Sequence, residues 1–356
     1  MHLEDGQIPA EYRRYTGRKT AFLAGGFILL VLIFILSISV GAVRIPPAAV
    51  VKTLFGGDTS GQWEIIVRNI RLPQALTAVV AGIGLAVSGA AMQSILRNPL
   101  GSPFTLGISQ AAAFGAAFSV MVLGSGVMRS TGADAVVIAS PFITTGTAFG
   151  FSLVGVGVIL LITRIRRASP ETMVLAGIAM GSLFTAGTMF LQYFADDVQL
   201  AAMVFWTFGD TARASWRELG FITAVVVLAS VFFMSNRWNY NAIDAGDETA
   251  NGLGVVVRRV RVYGMLVASV TTAVIVSFLG IIGFVGLVCP HIVRRVIGDD
   301  HRFLIPGTCL MGGILLLASD TVARVMLAPN VLPVAILTSF LGAPVFVYLL
   351  IRGYGR

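Results

Sequence analysis

Ten apolar stretches, most of them about 20 residues long, fill nearly the whole of this 356-residue chain. A hydrocarbon core of about 30 Å needs roughly 20 apolar residues in a helix that rises about 1.5 Å per residue. Segments 21–42, 72–96, 136–162, 260–279, 303–322 and 332–351 meet that length outright. What remains is too short for a soluble domain of ordinary size. The expected fold class is therefore an all-α polytopic membrane protein with ten transmembrane helices.

Composition agrees. Charged residues make up 12% of the chain, against roughly 25% in soluble domains. Mean hydropathy is +0.88. The net charge of +8 has a membrane explanation and argues for no nucleic acid as partner. Arginine collects at the cytoplasmic ends of membrane helices, where it meets anionic membrane lipid. Cys289 and Cys309 lie in or beside apolar segments, form no CxxC, and read as small core residues. The first apolar stretch exceeds a signal-peptide core and is read as retained.

Charge also sets the expected topology. With the N-terminus inside, 17 Lys and Arg fall on the cytoplasmic side and 8 on the other. Both termini are then cytoplasmic. The expected organisation is an arm at 1–20, one ten-span domain at 21–352 that includes a cytoplasmic loop at 235–261, and a tail at 353–356. Two spans are weak: the sixth at 219–234 is short, and the eighth, starting near Ile281, meets Pro290 and then Arg294 and Arg295. Small residues repeat every four positions at Gly107, Ala111, Gly115 and Ser119, and at Gly177, Gly181 and Thr185. In lipid such faces let helix backbones approach closely.

Several chemistries lack their residues. The two lysines, Lys19 and Lys52, follow Arg18 and Val51, so no P-loop is possible. No HExxH, GxSxG or His/carboxylate cluster appears, so no catalytic residue and no metal ligand is assigned. The spans are poor in ionisable groups. Asp320 and Arg324, four apart in the ninth span near its outer end, are the clearest exceptions. Such a chain is a pathway that borrows its energy, and an ATP-using partner would need a cytoplasmic docking surface. The loop SNRWNYNAIDAGDETANGLGVVVRRVR at 235–261 is the candidate.

In AGDETANGLGVVVRRVR this loop resembles the coupling segment of the permeases that import iron-siderophores, haem and vitamin B12 in ABC systems. Further stretches resemble the same family in order: RLPQALTAVVAGIGLAVSGAAMQSILRNPLGSPFTLGIS at 71–109, FWTFGDTARASWREL at 205–219, GIIGFVGLVCPHIVRRVIGDDHRFLIPG at 280–307 and LPVAILTSFLGAPVFVYLL at 332–350. The resemblance runs from about residue 20 to the end.

The resemblance implies a type II ABC importer permease fold in the cell inner (cytoplasmic) membrane. It implies a transport subunit without an ATPase site of its own. Its partners would be a second permease copy, two ATP-binding subunits that hold ATP and Mg, and a periplasmic or lipid-anchored substrate-binding protein. The chain itself would bind no cofactor. The cargo would be a bulky metal chelate, moved as ATP binding and hydrolysis switch the gates. Asp247, Glu248, Ala250, Gly252, Leu253 and Gly254, preceded by Gly246, fall on the ATPase-coupling pattern. Ser169, Pro170, Glu171 and Thr172 fall on the cytoplasmic gate. Arg71 and Arg324, on the translocated side against the charge rule, fall on positions that meet acidic residues of the binding protein.

The chain departs from the family pattern at Gln74, Asp210, Val331, Ala335 and the Pro170–Glu171 pair. The resemblance further implies that spans two to five and seven to ten form inverted repeats. An ion-gradient-driven secondary transporter is the alternative. It would need membrane-embedded acids or broken helices around an ion site.

Overall fold

A computed structural model describes residues 10–57, 60–128, 136–138, 141–165, 169–328 and 330–353. Arg166, Arg167 and Arg356, counted above on the cytoplasmic side, lie outside these.

The chain opens with α1 (Ala10–Ser39), α2 (Pro47–Leu54) and α3 (Gly61–Ile65). One wide π-turn (Ile66–Arg71) joins α3 to α4 (Leu72–Ile95), so helix runs unbroken over Gly61–Ile95. A single-turn 3-10 helix (Pro103–Leu106) leads into α5 (Ile108–Val122). A two-stranded antiparallel ribbon follows, β1 (Gly126–Met128) with β2 (Val136–Ile138). Then come α6 (Pro141–Ile165), α7 (Pro170–Phe194), α8 (Asp197–Thr207) and α9 (Trp216–Ser235). Two short helices, α10 (Arg237–Asp244) and α11 (Asp247–Gly252), precede α12 (Val257–Leu279). The chain closes with α13 (Val285–Ile297), α14 (His301–Met326) and α15 (Val334–Gly353).

Seven described helices are long and apolar enough to cross a membrane; α5 and the 334–348 part of α15 are shorter apolar helices. Residues 10–20 of the expected arm form the first turns of α1. Two expectations need correction. The fourth apolar segment becomes helical at Pro141, not at 136, because its first residues pair as β2 and Pro tolerates the first helical turn. The eighth begins at Val285, not near Ile281. Its break is the non-helical stretch 280–284, where Gly280 and Phe284 have positive φ, while Pro290 stays inside α13. Two such breaks, at 96–107 and 280–284, precede the short helices α5 and α13 and meet deep in the bundle. Ser102, Phe104, Ile282 and Phe284 border one cavity there, with Leu85 and Thr272 as walls.

Helix α4 is the axis of the fold. It packs on α9, α12, α13 and α14, and its side chains are buried along most of its length. Where α4 crosses α14, a methyl group on Gly82 would strike the Gly312 carbonyl, and one on Gly312 would strike that of Gly82. Apolarity gives helices no reason to associate in lipid, so contact this close supplies the dispersion energy instead.

The bundle has two polar ends. At the near end, Tyr12 of α1, the close of α4, α10, α11 and the start of α14 come together: Arg302 Nη1 donates to Tyr12 Oη (3.3 Å) and Asn241 Nδ2 to Asp300 (3.2 Å). At the far end lie the close of α1, the start of α4, the 208–213 turn and the close of α14.

Candidate functional site

The near end is built around α10 and α11. Gly246, at φ 119°, turns the chain between them, a conformation an L side chain rarely adopts. Asp247 then accepts two parallel bonds from Arg261 of α12, Nη1 to Oδ2 and Nη2 to Oδ1, both 2.8 Å. Arg261 is buried, and its Nε donates to the Ile95 carbonyl at the close of α4 (3.1 Å). One guanidinium thus ties α11, α12 and α4, and the bidentate fork fixes orientation as well as distance. Arg97, held left-handed just past α4, lies 4.0 Å from the same carboxylate.

A second clasp holds α10. Asp244 Oδ2 lies 2.9 Å from Nε2 of the fully buried His301, and Ser94 Oγ donates to that oxygen (3.2 Å) and lies 3.0 Å from His301 Nε2. Beside it, Asp300 caps α14 by accepting from the Arg302 backbone N–H (3.0 Å). Burial would raise the Asp300 carboxyl. The Arg302 side chain and backbone and Asn241 overcome that and bring it down to about 2.

The six expected coupling residues divide by role. Asp247 and Ala250 face inward, one clamped and the other fully buried. Glu248, Gly252, Leu253 and Gly254 face out. Leu253 is 70% exposed, at the tip of a frame fixed from below. A large apolar side chain on a rigid, exposed turn is what a partner groove can bury. The sequence signal missed Asp244 and His301, because a carboxylate and a histidine 57 positions apart announce no contact.

The expected gate residues start α7. Ser169 Oγ accepts from the Thr172 N–H (3.2 Å), Pro170 occupies the first turn, and Glu171 lies within electrostatic reach of Arg261 and Arg97. From there α7 runs with little of its surface buried. A groove of about 670 Å³ follows it, between Asn98, Phe104 and Gln110 on one side and Ile178, Ser182 and Met189 on the other. Its floor depends on close approach: a methyl on Gly107 (φ 75°) would meet the Gly181 nitrogen at 2.7 Å.

At the far end the two expected docking arginines are not on an open rim. Arg71 is 6% exposed. Its Nη1 donates to the carbonyls of Ile38 (2.7 Å) and Ser39 (3.1 Å), and its Nη2 donates to that of Val43. It holds the turn after α1, where the last carbonyls of a helix lack intrahelical donors. Arg324 Nη2 donates to Ser37 Oγ (2.6 Å), and its Nε lies 3.1 Å from Asp320 Oδ2 in an ion pair one helical turn apart. Asp320, 2% exposed, accepts at Oδ1 from Thr211 Oγ1 (2.5 Å) and Gln74 Nε2 (3.0 Å). Gln74, a departure from the family pattern, has a local use here. So has Asp210, whose Oδ1 accepts from the Ala212 N–H (2.9 Å). The same turn brings in Arg213, which donates to the carbonyls of Phe205, Trp206 and Phe208. Burial lowers its pKa, and Asp210 opposes that.

Among the described residues no group of three or more His, Cys, Asp or Glu could hold a metal ion. The polar groups described at both ends orient helices.

Comparison with known proteins fits this geometry. An ABC transporter permease protein of Methanocaldococcus jannaschii is 54% identical over 98% of this chain and 99% of its own length. The hemin transport system permease protein of Yersinia pestis is 36% identical over 94% of this chain and 97% of its own. The solved structure of a metal-chelate type ABC transporter in an inward-facing conformation superposes with a TM-score of 0.79 at 29% identity, covering 94% of this chain and 99% of that one. Residues 29–352 match the FecCD transport family, and with relatives this similar over nearly its full length the chain belongs to that family.

Proposed function

We propose that this chain is the membrane-spanning subunit of an ATP-driven importer that moves a bulky metal chelate delivered by a substrate-binding protein. Ten helices, α1, α4, α5, α6, α7, α9, α12, α13, α14 and α15, are read as its spans, with the near end cytoplasmic in the cell inner membrane. The observation that carries the reading is the fixed, outward-facing Leu253 turn of α11. It is a lever head: pressure on it reaches α12 and the close of α4 through the Asp247–Arg261 fork, and α4 leads straight into the 98–107 wall of the α7 groove. Two copies of the chain with their α7 grooves facing would enclose a wider path. Two ATP-binding subunits, holding ATP and Mg, would sit beneath, and the chain itself would bind no cofactor. Ser169 to Thr172 would close the cytoplasmic mouth.

Arg71 and Arg324 are assigned to building the far face on which the binding protein lands, because internal acceptors already engage their guanidinium groups. Relatives import hemin, iron(III)-citrate and vitamin B12, which supports the chelate class without choosing within it. The ion-gradient alternative is less well supported. Asp320, a buried acid of the kind it needs, is matched by Arg324 and two hydrogen-bond donors.

The test is co-purification with the ATP-binding subunit, then uptake in vesicles. Leu253→Asp is expected to lose the ATP-binding subunit and with it uptake, while the variant elutes as a folded membrane protein. Uptake that continues without nucleotide and follows a proton or sodium gradient would overturn the reading.

A further inference from the structure

A second site lies outside the transport machinery, at the near end where α1 passes the close of α13. Lys19 is 4% exposed. Its ammonium donates one hydrogen bond, to Tyr15 Oη (2.5 Å), and stands 3.9 Å from the Tyr15 ring centre and 5.1 Å from that of Phe303. An ammonium has three donors, so two of them have no hydrogen-bond acceptor among the described residues. The cavity, about 800 Å³, is lined by Arg14, Arg18, Lys19, Tyr15, Glu11 and Val296, among others. Among the described residues no carboxylate lies within ion-pair distance of Arg14, Arg18 or Lys19.

The charges do not balance. Three cations face one acid, Glu11. The close of α13 at Ile297 and Gly298 adds about half a negative charge from its unsatisfied carbonyls. Roughly one and a half positive charges are left over a partly enclosed pocket. The pocket sits where the basic turns of α1 give way to its apolar run. Beyond it Phe27, Ile28, Leu32 and Val296 are exposed, a surface for acyl chains. Tyr12 and Tyr15 stand at the same level, as aromatic residues do at a membrane–water boundary. A basic pocket between helices, open on its apolar side to acyl chains, takes a lipid headgroup.

We infer that the cavity between the first turns of α1 and the close of α13 binds the phosphodiester headgroup of an anionic phospholipid. Lys19 is the buried contact, and Arg14 and Arg18 close over the charge. The lipid would pin α1 to α13, the neighbour of the 280–284 break, and so couple membrane composition to the packing of the moving core.

The test is native mass spectrometry of the full chain in detergent, offered equal amounts of phosphatidylglycerol and phosphatidylcholine. The wild type is expected to retain phosphatidylglycerol about tenfold over phosphatidylcholine, and Arg14→Gln with Arg18→Gln to bring the two to parity. Both arginines are exposed, so the doubly substituted chain should still fold. Arg13→Gln, a basic residue off the cavity wall, is expected to keep the preference. Lys19→Gln should lose it even with both arginines present. Equal retention of the two lipids by the wild type would overturn the proposal. So would an equal loss in Arg13→Gln, which would mean diffuse charge without a site. Retention of inorganic phosphate with no preference between the two lipids would assign the pocket to the free anion and refute it as well.

Discussion

Both ends of the bundle hold arginines by internal acceptors, but the two ends use them differently. At the near end Arg261 meets a carboxylate in a two-bond fork, and Arg294 and Arg302 also have acid partners. At the far end Arg71 and Arg213 each bond three backbone carbonyls and no acid, and only Arg324 has a carboxylate. A carbonyl cluster belongs to the chain's own turns and cannot leave. A carboxylate on a separate short helix can be moved. The far arginines are therefore fixed staples within the chain, and the near ones link separate elements, which under the proposed coupling would make them joints. With the far end read as the translocated side, the contrast also offers a local reason for its positive residues: unsatisfied helix carbonyls receive Arg71.

The largest expected effect tests the staple. Arg71→Glu sets a carboxylate against the carbonyls of Ile38, Ser39 and Val43, with no donor to replace the guanidinium. Losing two charge-assisted bonds alone costs about 3 kcal/mol, before repulsion is counted. The variant should fail to accumulate as a folded, monodisperse species in detergent. Arg71→Lys, which reaches fewer carbonyls, should recover part of the yield. A well-folded Arg71→Glu protein that merely fails to hold the substrate-binding protein would break the comparison and return Arg71 to the rim.

The middle effect tests the joint. Asp247→Asn keeps the shape of the side chain but removes the charge from the fork, and Arg261 keeps its bond to Ile95. Because Asp247 is partly open to solvent, the stability loss should stay near 1 kcal/mol. Function should fall further, because α11 then pushes on α12 through a looser contact. We expect the ATP-binding subunit to be captured normally and uptake per ATP hydrolysed to drop about tenfold. If Asp247→Asn aggregates as Arg71→Glu does, the near end is as much a staple as the far one.

These roles were only partly legible in the chain itself. Span lengths follow from hydropathy, and the long helices fall close to where apolar run length puts them. The packing faces were legible too: Gly107, Gly177 and Gly181 meet because small residues every four positions leave a flat helix face. The break before α13 was misplaced because proline is the loudest local signal, whereas the chain opens at Gly280 and at Phe284, a non-glycine residue held left-handed against Gly342 of α15. The internal contacts of the arginines were out of reach. Whether a guanidinium meets a partner protein or a carbonyl 28 to 33 residues away depends on tertiary contact, and spacing carries no trace of it.

The smallest effect sharpens the near-end picture through pH. Asp300 is held at about 2, below the usual carboxylate range. Arg302, its backbone N–H and Asn241 all favour the ionised form and outweigh burial. A depressed carboxylate contributes stability that is complete above its unfolded pKa near 4 and is lost as pH falls toward 2. The sign is therefore fixed: nothing changes between pH 6 and 8, and the folded state weakens on acidification below about 4. Solvent screening reduces the contribution to about 1 kcal/mol. Asp300→Asn keeps an oxygen to cap α14 but gives up the charge-assisted bonds to Arg302. Its thermal midpoint in detergent should fall slightly below the wild type at pH 7, and the gap should close as pH drops from 4 toward 2. A gap that stayed constant over that range would show that Asp300 acts through its cap alone, with no contribution from its charge.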